Sequence, residues 1–126
     1  MPTKDDVRRL CLARDSVVED GDYCFRVGSR RFVWPYPERV EPEPPRVTRF
    51  DIFVVWLGDD ADKQALLAGE QDTFFTTDHY NGYPAVMVRL DEITNDRLTE
   101  LIADAHTAAA EDSTGPRRAR RGNSSV

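Results

Sequence analysis

An α+β fold, a mainly antiparallel sheet of about five strands with helices packed on one face in a two-layer sandwich, is predicted by three observations on this sequence. Five segments carry strand patterning; helical segments stand at the start, middle and end without alternating strictly with the strands; and residues 50–57, FDIFVVWL, form one nearly continuous apolar run. Strict β–α alternation would be needed for a parallel doubly wound sheet, and a doubly covered central strand needs such an apolar run. With 126 residues and 40% apolar content the chain can bury one core without disulfide staples, so one domain is expected over residues 1–112, followed by a tail over 113–126.

The first element is a helix over residues 3–14, with Thr3 as N-cap, Asp6 three residues on, and Val7, Leu10 and Cys11 on one stripe. An acidic loop over 19–22 follows. Tyr23, Phe25 and Val27 then alternate with Cys24 and Arg26, Gly28 and Ser29 turn the chain, and Phe32, Trp34 and Tyr36 resume on one face, which reads as a β-hairpin. Between Pro35 and Pro45 lie five of the eight prolines, interleaved with Glu38, Glu41 and Glu43. Proline donates no ladder hydrogen bond, so this segment is expected to be an extended loop; a docking ligand for an aromatic groove is the other reading of such a composition.

After the apolar run, Gly58 and the carboxylates of Asp59, Asp60 and Asp62 introduce a short helix through Leu66, Leu67 and Ala68, with Gly69 as its expected C′ residue. Residues 73–77 read as a fourth strand and 84–90 as a fifth, with Ala85, Met87 and Arg89 opposite Val86, Val88 and Leu90. Thr94 caps a final helix that carries Leu98, Leu101, Ile102, Ala105 and Ala109 on one stripe to about residue 110. No internal repeat is present. From Ser113 the composition turns to Ser, Gly, Pro, Asn and Arg, too poor in apolar area to offset ordering entropy, and a disordered tail is expected.

Charge is unevenly spread. The formal net is −6, and the four arginines of residues 113–126 (Arg117, Arg118, Arg120, Arg121), with no acid among them, leave −10 on residues 1–112. A surface that tracks a polyanion presents a basic footprint, which this body lacks overall, although Arg26, Arg30 and Arg31 form a local basic strip. The tail offers weak, non-specific polyanion binding at no more than four phosphates, or association with the acidic body itself. Cys11 and Cys24 read as small buried hydrophobes, with a bridge between them left open. The charged N-terminus and the absence of an apolar run near the ~18 residues of a membrane span point to cytoplasmic residence with no membrane partner.

The densest polar cluster is Asp78, His79, Tyr80 and Asn81, followed by Gly82, which permits a positive φ, and Pro84. His79, Tyr80 and Asn81 are candidate ligand-binding residues, against the plainer reading that they hold the turn. Arg89 is a candidate anion holder, or the partner of an acid on a neighbouring element. Trp34, Tyr36 and Trp56 are candidates for an aromatic platform, Trp56 reading as core. No nucleophile with its base, metal-ligand spacing or phosphate-cradling glycine loop is present, so no enzyme activity and no cofactor are expected.

The H-Y-N-G-Y-P-A-V-x-V-R-L run of residues 79–90, the D-E-I after it, the L-x-x-L-I-x-D-A of residues 98–105 and the Phe25-Arg26-Val27-Gly28 hairpin together resemble the MmcQ/YjbR family over roughly residues 3–110. The resemblance implies a fold similar to bacterial frataxin CyaY and DNA binding, a label resting on structural analogy; it brings no agreed catalytic residue. The fold analogue's iron site draws attention to Asp5, Asp6, Glu19, Asp20 and Asp22, which otherwise read as a solvated helix end and loop, so no metal site is expected. The proline-glutamate segment and the arginine tail depart from the family pattern. The function expected is that of a small cytoplasmic nucleic-acid-binding protein; the alternative is a protein-binding or small-ligand module whose acidic body takes no DNA. The sequence leaves the oligomeric state open.

Overall fold

The computed structural model of the chain describes residues 2–39, 46–77, 80 and 82–114. Helix α1 (Lys4–Leu12) leads into β1 (Val17–Glu19), β2 (Phe25–Val27), β3 (Arg30–Arg39) and β4 (Arg46–Trp56). Helix α2 (Asp60–Gly69), β5 (Phe74–Phe75), β6 (Ala85–Arg89), a 3-10 turn (Leu90–Glu92) and α3 (Asn95–Thr114) complete it. The strands form one antiparallel sheet in the order β1-β2-β3-β4-β6-β5. Helix α3 packs on β2, β3 and β4 and touches α1, while α2 packs on β5 and β6, so the expected α+β class holds.

The sheet has six strands rather than five. The additional one, β1, is three residues long, with a single exposed Val18 between half-buried neighbours, so it carries too little alternation to be read from sequence. It is returned onto β2 by a turn that holds Tyr23 (φ 60) and Gly21 (φ 93) in the left-handed region.

The larger correction concerns the prolines. Pro35 and Pro37 lie inside β3, opposite Phe53 and Thr48 of β4. Strand β2 pairs with Arg30, Arg31 and Val33 of β3, and beyond Val33 no ladder continues on that side of β3 among the described residues. The β3–β4 register shifts between Pro35 and Tyr36, and among the described residues this part of β3 is paired on one side, an irregular sheet edge of the kind where proline is tolerated. Residues 40–45 lie outside the described residues.

The apolar run behaves as predicted: Phe53 to Leu57 are all buried, and Ala85, Val86, Met87 and Val88 of β6 are buried on both faces. The stripe of α3 is buried along its length, from Leu98 to Ala109, and Thr94 caps it by accepting the Arg97 N–H at 3.1 Å. The helix continues to Thr114, two residues into the segment read as tail. In α1 the Asp6 carboxylate accepts from the Thr3 N–H at 2.8 Å, and Val7 and Cys11 are buried. Gly69 is the last residue of α2 and does not take a left-handed φ; the C-cap is Glu70. Strand β5 is two residues long rather than five. Both cysteines are free thiols, which closes the bridge reading, and burial pushes the Cys11 thiol up. No helix among the described residues is long and apolar enough to cross a membrane.

Two bidentate pairs tie distant elements together: Arg8 to Glu19 at 2.9 and 2.8 Å, and Arg97 to Glu70 at 3.2 and 2.8 Å. The guanidiniums hold both carboxyls below their ordinary value of 4.5. A carboxyl with a depressed folded pKa contributes stability that is present above 4.5 and is lost as pH falls through the depressed value. The melting temperature should therefore fall in acid from 4.5 downward, and Glu70→Gln should flatten that limb. A melt series in which the variant and the parent lose stability in parallel would show that the pair contributes nothing. The acidic residues near α1 are similarly engaged: Asp6 with Arg9, Asp20 with Arg26, and Asp5 with the Tyr23 hydroxyl. Among the described residues no group of three or more ligating side chains could hold a metal.

Candidate nucleic-acid interface

The β2–β3 hairpin is built around an irregularity. Phe25 lies opposite Val33, but Arg26 lies opposite Arg31, leaving Phe32 as an extra residue. In such a bulge successive side chains no longer alternate cleanly, so Phe32 and Val33 are both fully buried. The Phe32 ring packs in a T-shaped arrangement with that of His106 of α3, centroids 5.9 Å apart. Phe32 and Trp34, expected on one face, are thereby separated, and Trp34 joins Arg31 on the outside.

There Arg26, Ser29, Arg30, Arg31, Trp34 and Tyr83 line an open groove of about 480 Å³ with Asp20 at its side. The three arginines of the basic strip do come together, but their charges are not equivalent. Arg26 pairs with Asp20 at 3.1 Å and donates to the Gly28 carbonyl at 2.7 Å. Arg30 pairs with Asp112 at the end of α3 at 2.9 Å, donates to the Tyr83 hydroxyl at 3.4 Å and lies 4.3 Å over the Trp56 ring. Exposed Arg31 has no carboxylate within 4.0 Å among the described residues. Like charges directly opposite on neighbouring strands are unfavourable, and here only one of Arg26 and Arg31 is compensated. Such local conflicts are characteristic of functional surfaces.

Tyr83 reaches the groove because a side chain the sequence reading passed over holds its turn. Lys63 of α2 is 1% exposed, and its ammonium donates to the carbonyls of Tyr80 and Tyr83, each at 2.6 Å. Burial lowers its pKa, with Asp60 acting weakly in the other direction. The signal was present: Lys63 lies three and four residues before Leu66 and Leu67, on the same helical stripe. Leu57 and Gly58 add N–H bonds to the Pro84 carbonyl at 2.7 and 3.2 Å.

Of the predicted turn residues, Tyr80 is buried, while Asp78, His79 and Asn81 lie outside the described residues. Tyr83, 37% exposed, is the member of the motif that the groove presents. Arg89 stands apart from the groove: its guanidinium covers the Phe75 ring at 4.2 Å and donates to the Asp72 carbonyl at 3.3 Å, rather than pairing with an acid. Tyr36 meets Phe75 edge-on at 6.1 Å, and Trp56 is core beneath Arg30, so of the three proposed platform residues only Trp34 lines the groove. Arg117, Arg118, Arg120 and Arg121 lie outside the described residues.

Chemically the groove offers guanidinium, hydroxyl and indole groups, a set that binds a planar anionic group more readily than it moves protons. Fold and groove together define an α+β domain with an open sheet and an arginine-aromatic surface. The chain belongs to the YjbR family, whose model matches residues 12–108. It is 39% identical over 114 residues to an uncharacterised protein of Mycobacterium bovis, spanning 83% of this chain and 86% of that one. Uncharacterised proteins of two Mycobacterium tuberculosis strains match with the same identity and the same coverage. No solved structure matches at a significant level.

Proposed function

We propose that this chain is a non-enzymatic, cytoplasmic nucleic-acid-binding protein whose groove takes a short single-stranded segment, phosphate on Arg31 and Arg26, base against Trp34 and Tyr83. The observation that carries this reading is Arg31, without an acid partner among the described residues, opposite Arg26 and beside Trp34 in an open groove. Phosphate suits the planar fork of guanidinium, and an aromatic face stacks any base without selecting its sequence. The −10 carried by residues 1–112 restricts this contact to the groove and disfavours a long duplex track.

Fluorescence anisotropy of the full chain with single-stranded and duplex DNA at two salt concentrations tests it. A variant with Arg117, Arg118, Arg120 and Arg121 all changed to Gln should still bind the single strand. In that background Arg31→Gln should reduce the salt slope by about 0.7, the release expected for one phosphate of a single strand. Trp34→Ala should weaken binding by about 1–3 kcal/mol, the usual worth of one stacked base. Circular dichroism of each variant checks that the fold survives. Binding that vanishes with the tail arginines and ignores Arg31 and Trp34 would remove nucleic acid from the folded body.

A further inference from the structure

On a different surface of the molecule α2 and α3 leave a trough of about 430 Å³ between them. Its floor includes Leu66, Leu101 and Ala108, and its rim carries Asp62, Asp104 and Glu111. None of these three carboxylates has a cation within 4.0 Å among the described residues. The basic group lining the trough, Arg97, is already held by Glu70 and Glu100. A second hollow of about 420 Å³ shares Asp62, Ala108 and Glu111 and extends the acidic wall to Asp59 and Asp112. Asp112 is held by Arg30 and Asp59 caps α2, so the uncompensated acids are Asp62, Asp104 and Glu111, and an apolar floor between those three fits an extended basic segment with small residues.

We propose that the trough is the docking site of this chain's own residues 115–126, GPRRARRGNSSV. Three facts select that occupant. The segment leaves α3 directly after Thr114, three residues beyond Glu111, so its start is fixed at one end of the trough. It begins Gly115-Pro116, a pair that ends a helix and allows the chain to reverse. It then places four guanidiniums and no acid within reach: from Asp104 to Glu111 α3 rises about 10 Å, and residues 117–121 extend to about 13 Å. Folded back antiparallel to α3, the arginines pair with Glu111, Asp104 and Asp62, and Ala119 faces the floor. Docked in this way, the tail is withheld from polyanions, and part of the −10 of the body is neutralised internally.

Paramagnetic relaxation in the full chain tests this. The nitroxide is placed at Ser124→Cys with Cys24→Ser; the other thiol, Cys11, is fully buried, and serine retains a donor toward the Asp22 carbonyl. Amide signals of Ala65, Leu66, Asp104 and Ala108 should lose most of their intensity, and recover on reduction of the label. They should also recover in Asp62→Asn/Asp104→Asn/Glu111→Gln, in the four-Gln tail variant, and near 1 M salt, where the screening length is about 3 Å. Trypsin should cut the tail arginines several-fold faster in the triple-acid variant than in the parent. The proposal is overturned if those amides keep their intensity or if the loss is indifferent to the acid substitutions. It is equally overturned if the loss appears when labelled and isotope-enriched chains are mixed, which would place a second copy's tail in the trough.

Discussion

Lys63→Met is expected to lower the unfolding free energy by about 2–4 kcal/mol, the loss of two charge-assisted hydrogen bonds inside the protein, each worth about 1.5–3 before the remaining bonds of their acceptors are counted. Methionine matches the length of the lysine stem, so the change deletes the ammonium while leaving little cavity. The cost is below the maximum for two orphaned carbonyls because each keeps a backbone donor: Tyr83 N–H to Tyr80 at 3.0 Å, and Ala85 N–H to Tyr83 at 2.8 Å. What is lost in addition is the clamp between α2 and the turn that delivers Tyr83 to the groove. Hydrogen exchange at residues 80–85 should therefore accelerate more than exchange in β4. Single-strand binding should weaken at temperatures where the variant is fully folded. The pH dependence has its own sign. A lysine whose folded pKa lies below its ordinary 10.5 contributes stability most fully above that value and progressively less as pH falls through the lowered one. The deficit of Lys63→Met should accordingly widen as pH is raised toward 10.5, the same direction as the acid limb of the carboxyl pairs but in an alkaline window. A chemical denaturation series with unchanged midpoint would show that the two 2.6 Å contacts hold nothing.

Gly58→Ala is expected to cost about 2–4 kcal/mol, from about 1–2 for an L side chain in the left-handed region and the remainder from a steric collision. Gly58 has φ +76, and a Cβ there would stand 2.8 Å from Trp56 Cη2 and 3.0 Å from Cζ3. The indole cannot simply yield, since it is buried and the Arg30 guanidinium covers it at 4.3 Å, itself anchored to Asp112 at 2.9 Å. Displacing Trp56 therefore disturbs the groove as well as the core, and the near-ultraviolet dichroism of the tryptophans should change along with the melting temperature. Gly69→Ala provides the contrast. Its φ is not left-handed and nothing lies within 4 Å of the added methyl, so it should be neutral or stabilising by about 0.4–1 kcal/mol. Equal melting temperatures for the two alanine variants would refute the steric argument.

Much of the candidate site was visible as residue types and little of it as geometry. Arg26, Arg30 and Arg31 are basic neighbours in any reading, yet which of them keeps an uncompensated charge depends on Asp20 and on Asp112, 82 residues from Arg30. The H-Y-N-G-Y-P run marks the turn, but strand periodicity cannot say that Tyr80 goes inward and Tyr83 outward, nor that the backbone carrying both is held by the Lys63 ammonium from another element. Trp34 was grouped with Phe32 because alternation assumes a regular strand, and one extra residue opposite Phe25 undoes the assumption.

By itself the sequence determined the three helices, the N-terminal caps and stripes of the first and last of them, the apolar central strands and the α+β class, because each rests on contacts between residues a few positions apart or on a period of 2 or 3.6. Tertiary structure alone decided that the strand runs on through Pro37 to Arg39, that three residues at 17–19 form another, which carbonyls the Lys63 ammonium meets and that a groove and a trough lie at different places on the body. The physical reason is common to these cases: a ladder missing on one side, a carbonyl pair 17 and 20 residues away, and acids left without cations are properties of what packs nearby, which local pattern does not encode.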